Sequence, residues 1–186
     1  MLQQLPNALT FSRLLLVLPL GLLIMREQYN WALLVGIFAG LTDALDGFAA
    51  RRLDAFSRLG SILDPVADKT LIFVTFGCFA ATGLVPVYVA AIIIARDIVI
   101  AAGAVVYHQL IGRFEFGARP LSKANMLVQI CFCVLVLVNQ LLPLNPLVLS
   151  TGTAVVIVIA IGSGLDYVIA WSLKAVRANL QPGQDD

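Results

Sequence analysis

Four aspartates carry the chemistry open to this sequence. Asp43 and Asp46 stand three residues apart, Asp64 and Asp68 four apart, and apolar residues surround both pairs. Spacings of three and four put side chains on one face of a helix. Ionised groups in apolar surroundings are costly, so each is a functional candidate by default. Four carboxylates at close range cannot all stay ionised unaided: some take up protons, or a cation neutralises them. Hard oxygen donors suit Mg²⁺, Mn²⁺ or Ca²⁺. Four aspartates can hold two such ions, the arrangement that clamps a phosphoryl group during a displacement.

Simpler readings exist for half of this set. Asp64 precedes Pro65, a pattern that fits a helix N-cap with proline at the first helical position. Asp68 then becomes a first-turn acid favoured by the helix dipole. Asp43 and Asp46 resist that treatment, because they are expected near a helix end where negative charge opposes the dipole. A bound cation accounts for them. Gly47, Ala49, Ala50 and Gly60 lie close by, and small residues let helices or a flat ring approach. Arg51 follows Asp46 by five residues. Its guanidinium suits a diphosphate, or it serves as a basic anchor at the membrane surface.

The elements that must position these residues are membrane helices. Of 186 residues 60% are hydrophobic, and 12 Lys or Arg stand against 11 Asp or Glu, net +1. That is too little charge for a nucleic-acid binder, a disordered chain or a soluble domain of this size. A span needs about 20 mostly apolar residues. Six runs qualify: 9–25, 31–50, 64–82, 86–108, 122–141 and 147–173. Lipid offers no hydrogen-bond partners, so these are expected as helices. The fold class is therefore all-α and integral to the membrane, with residues 1–177 as one six-helix domain, a short interfacial lead-in over Met1–Asn7, and a polar tail over 178–186. Asp43 and Asp46 fall at the end of span two and Asp64 and Asp68 at the start of span three, as antiparallel neighbours whose acidic faces meet.

Basic residues set the orientation. Arg51, Arg52 and Arg58 lie between spans two and three, Arg113, Arg119 and Lys123 between four and five, and Lys174 and Arg177 after six. The positive-inside rule puts both termini and the acidic cluster on the cytoplasmic side. The first run follows a flank without Lys or Arg, and no small-residue cleavage site follows Met25, so it reads as a span rather than a signal peptide. Size and the lack of a targeting segment point to a bacterial cytoplasmic membrane. Cys78, Cys131 and Cys133, odd in number and in apolar runs, are expected to pack rather than pair.

Taken together the cluster reads Asp43, two residues, Asp46-Gly47, two residues, Ala50-Arg51, eight residues, Gly60, three residues, Asp64, three residues, Asp68. This resembles the signature of the CDP-alcohol phosphatidyltransferases at all eight fixed positions, and the six spans are similar to that family over most of the chain. The resemblance implies that Asp43, Asp46 and Asp64 ligate two Mg²⁺ or Mn²⁺ ions, and that Asp68 is both a ligand and the general base. Asp46, Gly47, Ala50 and Gly60 then line the nucleotide site, and Arg51 contacts its phosphates. It also implies a homodimer that transfers a phosphatidyl group from CDP-diacylglycerol to an alcohol, releasing CMP.

The acceptor is less fixed. Leu5-Pro6-Asn7-Ala8-Leu9-Thr10 and Ser163-Gly164-Leu165-Asp166-Tyr167 look like phosphatidylglycerophosphate synthases, whose acceptor is glycerol 3-phosphate. Ala95-Arg96-Asp97 and Leu121-Ser122-Lys123-Ala124-Asn125 are similar to the cardiolipin synthases, whose acceptor is phosphatidylglycerol. The first is favoured. Arg96, Arg113, Arg119 and Lys123 are candidates for the acceptor pocket. Arg96 also admits a structural reading, as a buried ion pair with Asp166, and the two readings are compatible. His108 reads as a boundary residue, Trp31, Tyr88 and Trp171 as an aromatic belt, and Pro19 as a kink within span one. The rival class is a divalent-cation transporter using the four aspartates. It leaves Gly47, Ala50, Arg51 and Gly60 unexplained.

Overall fold

Apolar runs of this length must satisfy their backbone N–H and C=O groups internally. The computed structural model describes the backbone of residues 5–53, 60–111 and 120–180, with side chains over 14–42, 66–103, 105, 120–170 and 172. Those residues form six helices and, among themselves, no strand: α1 (Leu5–Met25), α2 (Tyr29–Leu53), α3 (Gly60–Ala81), α4 (Val87–Ile111), α5 (Pro120–Leu141) and α6 (Pro146–Leu180).

The links are short and capped. Gln28 N donates to Leu23 O and Glu27 N to Ile24 O, closing α1 with Glu27 at φ 58°; this is the left-handed termination that follows many helices. Gly83, at φ 75°, takes the same role after α3. Asn145 Oδ1 accepts from Leu147 N at 2.9 Å, so it caps α6 with Pro146 in the first helical position.

The core forms where apolar stripes with helical spacing face each other. Ile72, Phe76 and Phe79 on α3 meet Phe132 and Val136 on α5, with Val89 and Ile93 of α4 and Val156 of α6 closing around them. The Phe76 and Phe132 rings stack at 6.1 Å, and Phe79 meets Phe76 edge-on at 6.2 Å. α1 packs on both α2 and α3, and α6 on both α4 and α5. Close approach of α6 to α5 depends on Gly152, where an added Cβ comes to 3.0 Å from Leu135 Cδ2 and 3.2 Å from Phe132 Cδ2. Gly152→Ala is therefore expected to overpack this seam and cost about 1–3 kcal/mol, read as a lowered unfolding midpoint in mixed micelles.

The outer surface is apolar: Leu18, Leu22, Trp31, Phe38, Val87, Leu127, Leu147 and Val158 are all more than half exposed. Lipid, not water, suits such a surface. Pro120–Leu141 and Pro146–Ala170 are long and apolar enough to cross a bilayer.

Several expectations change. α1 is helical from Leu5, so residues 5–7 belong to it rather than to a separate lead-in. α3 begins at Gly60, four residues before Asp64, which removes the N-cap reading of Asp64-Pro65. α2 continues to Leu53, so Asp43 and Asp46 stand about two turns or more before its end. The dipole cost invoked for them fades beyond the last turn. Among the described residues α1 and α5 each pack on both α2 and α3; Asp43, Asp46 and Asp64, where the acidic faces are expected to meet, lie outside the residues whose side chains are described. Cys131 is exposed rather than packed, while Cys78 and Cys133 are partly buried and free. Trp31 and Tyr88 are exposed near helix starts; the side chains of His108 and Trp171 lie outside the described residues.

Candidate active site

The site grows out of the core by continuing its stripes toward the start of α3 and α5. On α3 the buried line Phe76–Ile72 leads one turn back to Asp68. On α5 the line Val136–Phe132 leads back through Gln129 and Asn125 to Ser122. On α4 Ile93 leads to Arg96, and on α6 Val156 and Ala160 lead to Ser163. The spacings of three and four that align the apolar residues align the polar ones with them.

These groups wall a cleft of about 260 Å³ lined by Asp68, Lys69 and Ile72 of α3, Arg96 and Asp97 of α4, and Ser122, Lys123, Asn125, Met126 and Gln129 of α5. Arg96 is its hub, with a side chain only 7% exposed. Its Nη1 donates to Asp97 Oδ1 at 2.5 Å, and its Nη2 to Ser122 Oγ at 3.3 Å and to Ser163 Oγ. The guanidinium carbon lies 6.0 Å from the Tyr167 ring centroid. One side chain thus ties together α4, α5 and α6. α6 comes close enough because residue 164 is glycine: a Cβ there stands 3.3 Å from Arg96 Cγ. Asp97 Oδ1 also accepts from Lys69 Nζ at 2.7 Å, so the carboxylate bridges a buried and a half-exposed cation.

Of the residues singled out by sequence, the structure brings Asp68, Arg96 and Lys123 to one cleft. A carboxylate partner of Arg96 is its neighbour Asp97. The side chains of Asp43, Asp46, Gly47, Ala50, Arg51, Gly60 and Asp64 lie outside the described residues, as do Arg113 and Arg119. Helix register still places Asp43 and Asp46 one turn apart on α2, and Asp64 one turn before Asp68 on α3. Lys69, Ser122, Asn125 and Gln129 were not singled out as site residues. Their signal was polarity repeating at core spacing within an otherwise apolar helix.

Among the described side chains no group of three or more His, Cys, Asp or Glu is placed to hold a metal ion. Asp68 is a half-buried oxygen donor on the cleft wall, and each of α2 and α3 carries a second carboxylate one turn away. Such all-oxygen sets prefer hard cations.

The family model described as CDP-alcohol phosphatidyltransferase matches residues 3–166. The chain belongs to the CDP-alcohol phosphatidyltransferase family. Among curated relatives, the rat cardiolipin synthase (CMP-forming) is 46% identical over 98 residues, 52% of this chain and 32% of that protein. The Pseudomonas fluorescens CDP-diacylglycerol–glycerol-3-phosphate 3-phosphatidyltransferase is 38% identical over 126 residues, 64% of each chain. The Bacillus subtilis protein of the same name is 28% identical over 148 residues, 67% of this chain and 76% of that one. This phosphatidyltransferase-family chain therefore spans under half the length of the animal relative and most of the bacterial ones. Its cleft lies within the matched region, with Asp68 as the last acid of the family signature.

Proposed function

We propose that this chain transfers a phosphatidyl group from CDP-diacylglycerol to a glycerol-type alcohol, releasing CMP. The observation that carries the reading is the cleft that Asp68, the last signature acid, shares with Lys69, Arg96 and Lys123. A base beside cations suits an acceptor that has a hydroxyl to deprotonate and a phosphate to hold.

In the reaction the acceptor hydroxyl gives its proton to the Asp68 carboxylate. Its oxygen bonds to the lipid-side phosphorus, the bond from that phosphorus to the bridging oxygen breaks, and CMP leaves with the electron pair. Asp43, Asp46, Asp64 and Asp68 would hold two Mg²⁺ or Mn²⁺ ions, which supply charge neutralisation at the diphosphate. Arg51 steadies the nucleotide phosphates, and Gly47, Ala50 and Gly60 leave room for the ring and ribose. The six helices act as one unit crossing the membrane six times, with termini and site at the cytoplasmic face of a bacterial membrane, as a homodimer.

Glycerol 3-phosphate is the favoured acceptor, supported by the bacterial relatives of that name and their coverage of both chains. Phosphatidylglycerol is the second reading, supported by the higher identity to cardiolipin synthases over a shorter stretch. Purified protein given CDP-diacylglycerol, Mn²⁺ and either radiolabelled acceptor is expected to release CMP and label one lipid product. Release with neither acceptor sinks the reading.

A further inference from the structure

Two amide side chains on the cleft floor are unsatisfied. Asn125 is 2% exposed and Gln129 3%. Asn125 Oδ1 and Gln129 Nε2 are buried with no hydrogen-bond partner. Leaving such an atom unpaired costs about 1–3 kcal/mol, and buried polar atoms in native proteins are nearly always paired. Both residues line the cleft that Asp68 lines. They stand one turn apart on one face of α5, where side chains are neighbours. Below them the same stripe turns apolar at Phe132, and neither atom is paired with the other or with any described group.

Arg96 Nε, on the same cleft, is buried and unpaired as well, so the unpaired atoms are one acceptor and two donors, and that combination selects the ligand. A phosphate oxygen only accepts and leaves Asn125 Oδ1 unmet; an ammonium only donates and leaves Gln129 Nε2 unmet. A hydroxyl does both. The charged groups of the cleft, Lys123 among them, start with the first turn of α5, whereas Gln129 lies about 10 Å further along the helix axis than Ser122. The mouth is thus suited to charge and the floor to a neutral hydroxyl.

We propose that Asn125 and Gln129 bind a non-reacting hydroxyl of the acceptor, adjacent to the hydroxyl that Asp68 deprotonates, so that the site selects vicinal diols. This rests on the transfer reaction proposed above and narrows it. Glycerol 3-phosphate and the head group of phosphatidylglycerol both present such a diol, so the inference is independent of the choice between them. It makes Asn125 and Gln129 specificity-determining residues rather than general bases.

The test compares each diol acceptor with its counterpart lacking the middle hydroxyl: glycerol 3-phosphate against 3-hydroxypropyl phosphate, and phosphatidylglycerol against phosphatidyl-1,3-propanediol. The full chain is assayed with CDP-diacylglycerol and Mn²⁺. Wild type is expected to favour the diol in kcat/KM by about a hundredfold, the worth of two satisfied hydrogen bonds. Asn125→Ser and Gln129→Ser are suited to the test because a helical serine hydroxyl bonds its own i−4 carbonyl, as Thr75 does to Leu71 O at 2.7 Å. Each is expected to narrow the ratio about tenfold by slowing only the diol acceptor. A ratio is insensitive to the fraction of protein folded, and a merely structural role lowers both rates equally. Should either serine variant not fold, Asn125→Leu and Gln129→Met, of similar shape, provide the same ratio. An unchanged ratio in the variants, or a wild type that uses both acceptors equally, overturns this inference alone. Failure to release CMP with either diol acceptor overturns it together with the transfer reaction.

Discussion

Asp68→Asn is expected to reduce kcat by about a thousandfold or more while leaving the unfolding midpoint unchanged. A positioned general base contributes about 10²–10⁴ in rate, and the amide can neither take the acceptor proton nor carry the charge that a divalent ion requires. The fold should tolerate the change. Asp68 lies at the polar end of its stripe, one turn before Ile72, half-buried on the cleft wall rather than among Phe76, Phe79 and Phe132. The assay is CMP release from CDP-diacylglycerol under saturating Mn²⁺, with unfolding in the same detergent as the control. A near-wild-type rate removes Asp68 from the role of base. A lost rate accompanied by a collapsed midpoint instead makes it a structural acid.

Much of this was legible in the sequence because lipid imposes a simple rule: long apolar runs become helices. All six runs correspond to helices, and the breaks fall where Glu27, Gly83 and the Pro143–Pro146 stretch interrupt them. The ends were less legible. Apolarity marks where a bilayer would be, whereas a helix continues as long as its backbone bonds can form. Thus α2 runs on through Arg51 and Arg52 to Leu53, and α6 to Leu180. The same confusion made Asp43 and Asp46 look like helix-end residues and Asp64 like a cap. Within the site, Asp68, Arg96 and Lys123 could be named because charge stands out against an apolar background. Asn125 and Gln129 are uncharged and pass for tolerated polar residues. Only their register with Phe132 and Val136 gives them away, and register matters only once α3 is known to face α5. The contact of Arg96 with Asp97 was hidden for a different reason. Adjacent side chains on a helix do not normally face each other, yet the length of the arginine lets its fork reach Asp97 while also spanning to α5 and α6.

That fork makes Arg96→Lys the second large effect: a loss of about 2–4 kcal/mol in unfolding free energy, with catalysis falling in step. Lysine keeps the charge, so a reading in which Arg96 is only a basic group in the acceptor pocket predicts little change. The geometry predicts otherwise. Nη1 and Nη2 are both committed to the chain, to Asp97, Ser122 and Ser163, and the guanidinium lies within cation–π range of the Tyr167 ring. A single ammonium cannot make these contacts at once, and it lacks the flat face for the ring. Both Arg96 and Asp97 are shielded from water, with side chains 7% and 14% exposed, and breaking such a pair costs more than an exposed one, about 3–5 kcal/mol when one partner is removed outright. Asp97 keeps Lys69 in this variant, which holds the expected loss below the upper end. Equilibrium unfolding in mixed micelles measures it. Ser163→Ala, which removes one of the three hydrogen-bond acceptors and leaves every charge in place, is expected to lose about 1–2 kcal/mol by the same assay. If Arg96→Lys instead keeps the wild-type midpoint and raises only the acceptor KM, the arginine is a ligand for the acceptor and not the tie between α4, α5 and α6.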